Sequence, residues 1–301
     1  MNLKMPTASN GRSEMNRVGQ PRVAVLGAAG QTGATLLPEL VARGAAVRAV
    51  VRPGASVSLP EGVERAEADF ADVEALTEAL SGIDAVYHIP PTYSPHEVAF
   101  GRHVMKAATR VGGVRLVYHS VMHAETPDMP HHWRKWQVEE LLRESALSWT
   151  IVRPAMYAQT ALAFLNRART RLRLPFSPDS WFTPIDVADV GRAAAIVLVE
   201  GGHERQTYTL AGAERLTMRQ MAERMADAWG HDVSVQRWPS WLVARVAARR
   251  YDHGSRALLK AMFAHYSAAG FEGPADDLRR LLKGEPTGFA ATMTRCALSE
   301  Q

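Results

Sequence analysis

Residues 23–52 read VAVLGAAGQTGATLLPELVARGAAVRAVVR, and Gly27, Gly30 and Gly33 stand there between a short apolar run and a helical pattern. The spacing has a mechanical reason. Gly27 ends a strand over Arg22 to Leu26 in a tight turn, Gly30 lets the backbone approach a pyrophosphate with no Cβ in the way, and Gly33 lets the next helix pack close to the sheet. The amino end of that helix, expected over Thr35 to Arg43, offers free N–H donors and a partial positive charge to an anion. A second β-branched run, Val47 to Val51, closes a βαβ unit. In that context the loop is expected to bind the phosphates of a nicotinamide dinucleotide. Ala29, Gln31 and Thr32 beside the glycines, and Ile89 at the end of a later strand, are the further cofactor contacts expected.

A protein of this layout that uses NAD places Asp or Glu at the end of the second strand to take the ribose hydroxyls, whereas a 2′-phosphate needs a cation there. Here that strand ends in Val50, Val51 and Arg52. With a guanidinium where the carboxylate would stand, NADPH (NADP+) is expected over NADH, and Arg48 is a second candidate for the phosphate. Asp69 and Phe70, after the third strand, suit an adenine contact in which the carboxylate takes the exocyclic amine. Asp69 equally suits a helix cap before Val73.

Farther along, strand-like runs alternate with helical patterns: a strand over Val63 to Ala66, a helix over Val73 to Leu80, a strand over Ile83 to Ile89, a helix over His96 to Arg110 and a strand over Val114 to Ser120. A helix over His131 to Ser145 and a strand over Ser148 to Val152 follow. The runs are apolar throughout rather than alternating, as in strands covered on both faces, and together they predict an α/β fold with a doubly wound parallel sheet. Residues 21–153 are read as the dinucleotide-binding domain. Beyond Pro154 the prolines Pro175, Pro178, Pro184 and Pro239 break the chain into short elements around a helix over Val187 to Val199, a strand over Thr207 to Leu210 and a helix over Met218 to Trp229. Residues 154–301 are read as a smaller lobe, partly woven back onto the sheet, with a small-molecule substrate in the cleft between.

Composition is consistent with this. A chain of 301 residues, 47% apolar and 22% charged, buries one large core or two unequal lobes. The net charge of +4 is spread among acids, so no nucleic-acid footprint is expected; Arg167, Arg169, Arg171 and Arg173 alternate and would line one side of an extended segment. One cysteine, Cys296, admits no internal disulfide and no metal spacing, and suits a reducing cytoplasm. No signal peptide and no membrane span is expected, and Met1 to Gln20 is read as a flexible polar extension. Apolar residues near the carboxyl terminus, among them Trp238, Trp241, Met262, Phe263 and Tyr266, are candidates for lobe core, a pocket lining or the contact of a homodimer.

The helix over His131 to Ser145 carries the candidate reactive face. Val138, Leu141 and Leu142 form its buried stripe, and Lys135 shares that side with His131 one turn earlier. An ammonium aimed at the sheet needs a partner: either it pairs with Glu139 one turn on, or it reaches the cofactor ribose and a reacting carbonyl. Ser120, at the end of the fifth strand, is either a substrate-holding hydroxyl or a strand-end turn residue. His119, His123, His131 and His132 invite a metal reading, but the nearest carboxylates follow no ligand pattern and no metal is expected.

With the glycine loop, Arg52, the Lys135 helix and SWTIVRPAMY at residues 148–157, the chain resembles the NmrA-like branch of the atypical short-chain dehydrogenase/reductases over roughly Arg22 to Trp229. That resemblance implies a Rossmann domain with a small substrate lobe and a preference for NADP(H). Members include quinone and triphenylmethane dye reductases, aromatic ether reductases and cofactor-sensing regulators without catalysis. Gly27, Gly30, Gly33 and Arg52 fall on the family's dinucleotide positions, and Lys135 on its recurrent lysine. In FTPIDVADV at residues 182–190, a segment that closes the lobe, Asp186 and Asp189 cap the following helix. The chain departs from the reductase pair Tyr-x-x-x-Lys, because His131 stands where the tyrosine would. A reductase is expected that moves hydride from NADPH to an aromatic or quinone-like acceptor, with Lys135 orienting the ribose and Ser120, His131 or Tyr157 as its hydrogen-bonding partners. The alternatives are a redox sensor of the NADP+/NADPH ratio and an isomerase or cyclase on the same fold.

Overall fold

Val23, Ala24, Val25 and Leu26 are all buried, although successive side chains of a strand point to opposite faces. Such a strand is covered by helices on both sides. The structure, a computed structural model, describes residues 19–247 and 255–298, so the extension read over residues 1–20 lies outside it but for Gly19 and Gln20. The first half alternates: β1 (Arg22–Leu26), α1 (Gln31–Ala42), β2 (Ala46–Val51), β3 (Glu64–Glu67), α2 (Val73–Ala79), β4 (Ala85–His88), α3 (Glu97–Val111), β5 (Arg115–His119), α4 (Pro130–Glu144) and β6 (Trp149–Pro154). After a 3-10 turn at Ala158–Phe164 come β7 (Arg171–Leu174), β8 (Trp181–Phe182), α5 (Val187–Val199), β9 (Gln206–Leu210), β10 (Leu216–Thr217), α6 (Met218–Trp229) and β11 (Ser234–Arg237). Helices α7 (Ser240–Ala247), α8 (Ser255–Ala269), α9 (Asp276–Leu282) and α10 (Phe289–Leu298) follow.

Seven strands form one parallel sheet in the order β3-β2-β1-β4-β5-β6-β9. This is the doubly wound α/β sheet that the sequence predicts. Val23 and Val25 of β1 join Leu36, Leu37 and Leu40 of α1 and Val190, Ala193 and Val197 of α5 in a core on one face. Ala24 and Leu26 join Leu76 of α2, Val104 of α3, and Val138 and Leu142 of α4 on the other. Strand order reverses between β1 and β4, and at such a point the carboxyl ends of the strands leave a crevice.

Helix α1 starts at Gln31, four residues before the expected Thr35. Its first turn packs small residues against the glycine loop rather than an apolar stripe against the core, so periodicity does not register it. Residues after Pro154 supply the seventh strand, β9, beside β6. They also form two small sheets, β7 with β11 and β8 with β10. In β7 Leu172 and Leu174 are fully buried while Arg171 and Arg173 point outward, and the Arg173 guanidinium lies 4.5 Å from the Trp238 ring. Among the described residues no helix is long and apolar enough to cross a membrane.

The carboxyl-terminal helix is fastened through the cap of α5. Asp186 accepts from its own helix at Ala188 N–H (2.9 Å), from Gln159 Nε2 (2.9 Å), from Thr292 Oγ1 (2.9 Å) and from Arg295. Burial raises this carboxyl's pKa, but the Ala188 N–H, Arg295, Gln159 and Thr292 outweigh burial and hold it below the usual carboxylate range. A folded-state pKa below the unfolded one stabilises the protein above the unfolded value, and that stability is lost as pH falls through the folded value. Asp186→Ala is therefore expected to cost about 2 kcal/mol or more at neutral pH, cap and buried partners together. In urea melts the difference from wild type should shrink as pH is lowered through and below about 4, the ordinary carboxylate range.

Candidate active site

The crevice begins at the glycine loop. Gly27 has φ +81°, and a Cβ there would run into the Ile89 carbonyl at the end of β4. A Cβ on Gly33 would run into the backbone of Ala28. Only glycine lets the loop and α1 sit this close to the sheet. Gly30, the N-cap of α1, differs: a Cβ on it would meet nothing nearer than the Gly27 carbonyl oxygen, at 3.4 Å, because it faces open space. No side chain caps α1 and no acid lies in its first turn, so its amino-terminal N–H groups face the crevice.

A cleft of about 750 Å³ runs over this loop. At one end it is lined by Arg52, whose guanidinium has no ion-pair partner among the described residues, and by Phe70. Gly27, Ala29, Gly30, Gln31, Thr32 and Ile89 line its middle. Arg48, the second phosphate candidate, is engaged elsewhere, with Glu64 at 3.0 Å and with the carbonyls of Ala79 and Ser81. Asp69 is exposed and does not line the cleft. It accepts from Ala71 N–H at 2.8 Å, and the cap before Val73 is Asp72, which accepts from Ala75 N–H.

The far wall comes from α4 and the ends of β5 and β6. Lys135 enters the cleft, and of its two expected roles the pairing with Glu139 does not form: its ammonium pairs with Glu97 of α3 at 3.1 Å and donates to the His119 carbonyl at 3.1 Å. Glu97 is 3% exposed and also accepts from Tyr118 Oη at 2.6 Å. Glu139 is fully buried beneath α4 and answers to Arg143, Arg153 and Ser120. The Ser120 hydroxyl is therefore spent on Glu139, and Ser120 is 1% exposed, although it borders the cleft. Lys135 and Glu139 lie one turn apart on the helix, but Lys135 reaches Glu97 of α3 while Glu139 reaches Ser120 and Arg153.

His131, at the place of the tyrosine in the usual reductase pair, sits edge-on to the Tyr93 and His132 rings. Burial, then the neighbouring charges of His132, Lys135 and Arg134, push it down to about 2. It stays a neutral imidazole even well below the pH of about 6.5 at which an exposed histidine gains its proton. His132 and His123 each bond to a backbone carbonyl, and among the described residues no three side chains of metal-ligating type converge.

Tyr157 opens the 3-10 turn after β6, and its hydroxyl lies 2.8 Å from Thr32 Oγ1 and 3.0 Å from His119 Nε2. Burial raises its pKa, so the phenol keeps its proton. The structure thus gathers Thr32, Lys135, His131 and Tyr157 on one stretch of cleft, together with Glu97, which the sequence reading did not single out, and His119, which it weighed only as a metal ligand. Glu97 stands near the start of a helix, where a carboxylate is ordinarily read as favouring the helix dipole. Its depth was the missing signal.

The sequence profile of the NmrA-like family matches residues 19–287. The chain belongs to the NmrA-like family. Quinone oxidoreductase 2 of Escherichia coli is 29% identical to this NmrA-like chain over 219 residues, 71% of this chain and 77% of that one. The NAD(P)H azoreductase of Xenophilus azovorans is 27% identical over 219 residues, 70% of this chain and 75% of its own. The crystal structure of the E. coli NADPH-dependent quinone oxidoreductase complexed with NADPH superposes with a TM-score of 0.78 at 24% identity, covering 91% of this chain and 99% of that one.

The pairing of Lys135 is open to a direct check. Lys135→Met removes the partner of a buried carboxylate and is expected to cost about 2–3 kcal/mol, short of the 3–5 typical of a fully buried pair because the lysine is partly exposed. Adding Glu97→Gln removes the unpaired charge and should restore part of that loss. The urea midpoints of the two single mutants and the double mutant measure the coupling. Combined losses that simply add would break the pair assignment.

Proposed function

We propose that the protein is an NADPH-dependent reductase of flat aromatic or quinone-like acceptors. One observation carries the reading: a single cleft of about 750 Å³ joins the glycine loop and Arg52 at one end to an aromatic chamber at the other, with Lys135 and Tyr157 between. That volume is in the range of small-molecule sites, which run from about 300 to 1,000 Å³. The chamber is walled by Tyr93, Phe164, Met262, Tyr266 and Phe271, and it offers a planar apolar molecule ring faces and a thioether.

NADP(H) fits the first half. Gly27 and Gly33 let the loop and α1 lie against the backbone of Ile89 and Ala28, Gly30 leaves open space beside the loop, the first N–H groups of α1 have no capping side chain, and Arg52 is available for a 2′-phosphate. Gly27, Gly30, Gly33 and Thr32 would hold the pyrophosphate, Arg52 the phosphate on the ribose, Phe70 the adenine, and Lys135 the second ribose. When bound, the cofactor supplies the hydride. The chain supplies placement, an ammonium beside the acceptor, and a dry wall. The family relatives named for quinone and azo reduction support the same class of acceptor.

Purified protein with NADPH and 2-methyl-1,4-naphthoquinone or an azo dye is expected to oxidise the cofactor, followed by its nicotinamide absorbance. Stoichiometric NADPH binding without turnover on any such acceptor would leave a cofactor sensor instead. Arg52→Ala should weaken NADPH by about 1.5–3 kcal/mol, tenfold or more in Kd, because a charge-assisted bond to phosphate is lost. NADH lacks that phosphate, and its Kd should hardly move. Equal losses for both cofactors would remove Arg52 from phosphate recognition.

A further inference from the structure

His119 ends β5 with its ring set between two phenols. Tyr87 Oη lies 2.7 Å from Nδ1 and Tyr157 Oη lies 3.0 Å from Nε2. Tyr87 is fully buried and His119 is 8% exposed. Burial, with Lys135 and His88 adding to it, pushes His119 down to about 3. The imidazole is neutral at physiological pH, so one nitrogen donates and the other accepts.

The surroundings decide which. Among the described residues the Tyr87 hydroxyl has no hydrogen-bond partner other than Nδ1. Were the ring hydrogen on Nδ1, the Tyr87 O–H would be left in the core without an acceptor, at a loss of about 1–3 kcal/mol. Tyr87 therefore donates to Nδ1, the ring hydrogen sits on Nε2, and Nε2–H is directed at the oxygen of Tyr157. The hydrogen of Tyr157 is then left to Thr32 Oγ1, 2.8 Å away, or to a molecule in the cleft.

We propose that His119 is a positioning residue: its Nε2–H holds the Tyr157 oxygen so that the phenol O–H is presented to the acceptor as the proton donor of the reduction. The inference rests on the reductase reading of the cleft. In the step, the acceptor gains a hydride, which carries both electrons and comes from NADPH, and a proton from Tyr157. The Tyr157 O–H bond breaks as an O–H bond forms on the acceptor. The phenolate is steadied by Nε2–H and regains its proton from water when the product leaves. This places the proton donor on Tyr157, where the usual reductase tyrosine-lysine pair would put it on residue 131.

Side-chain 15N shifts of the ligand-free, histidine-labelled protein read the tautomer directly. A neutral His119 with its hydrogen on Nε2 is expected, and a hydrogen on Nδ1 would overturn the proposal whatever the enzyme does. In turnover of NADPH with 2-methyl-1,4-naphthoquinone, His119→Leu should lower kcat about tenfold or more, with the KM for quinone and the Kd for NADPH within about twofold of wild type. His119→Gln, whose amide restores an N–H near the Nε2 position, should recover most of that loss. Tyr157→Phe should cost at least as much as His119→Leu, and the double mutant no more than Tyr157→Phe alone. Losses that add independently, or a His119→Leu enzyme as fast as wild type, would refute the hold. A wild-type protein that binds NADPH but reduces no acceptor would instead refute the reductase reading, with the tautomer still measurable.

Discussion

The close approach of the glycine loop to the sheet is the constraint on which the rest depends. With Gly27 against the Ile89 carbonyl and Gly33 against the backbone of Ala28, α1 reaches the sheet with its amino terminus over the carboxyl ends of β1 and β4. Every member of the site is then positioned relative to that terminus. Thr32 is carried in the first turn, Arg52 by the strand next to β1, and Tyr157 by a turn whose hydroxyl touches Thr32. A side chain larger than hydrogen at either glycine would push the helix out and widen all of these separations together.

Two buried carboxylates divide the work beneath the cleft. Glu139 draws in Arg153, Arg143 and Ser120 and binds α4 to β5 and β6; Glu97 draws in Lys135 and Tyr118 and binds α3 to α4. Each is acceptable in a dry interior because cations and hydroxyls meet its oxygens. The division also explains why Lys135 keeps its ammonium at the cleft wall. A lysine paired with Glu139 would have been drawn under the helix, away from any ligand.

The sheet was legible in the sequence because its strands are apolar on both faces and its helices carry stripes, signals that length and periodicity capture. Helices α5 and α6 fall where their patterns put them, at Val187–Val199 and Met218–Trp229. The glycine loop was legible for a different reason: close backbone approach admits only one residue type. Less was visible where a residue's meaning depends on a partner far away in the chain. Lys135 and Glu97 are 38 residues apart, Tyr157 and Thr32 are 125 apart, and no local pattern connects either pair. The short elements β8, β10 and β11 escaped for lack of length, β7 showed only as the alternation of Arg171 and Arg173, and the true start of α1 was hidden because its first turn has no stripe. His131 shows a limit of residue type itself: a histidine's proton chemistry is set by its burial, which the sequence does not display.

Strand β9 bears on how this chain can be handled and how it is made. Until residues 206–210 pair with it, β6 has one row of backbone N–H and C=O groups open, next to the side chains of Trp149, Ile151 and Val152. An apolar edge of that kind is a template for joining another chain. A fragment cut after Pro154, where the alternating part of the sequence ends, would carry the dinucleotide loop together with a sticky margin. During synthesis the same margin waits for more than fifty residues before its neighbour emerges, long enough to be an opportunity for mispairing.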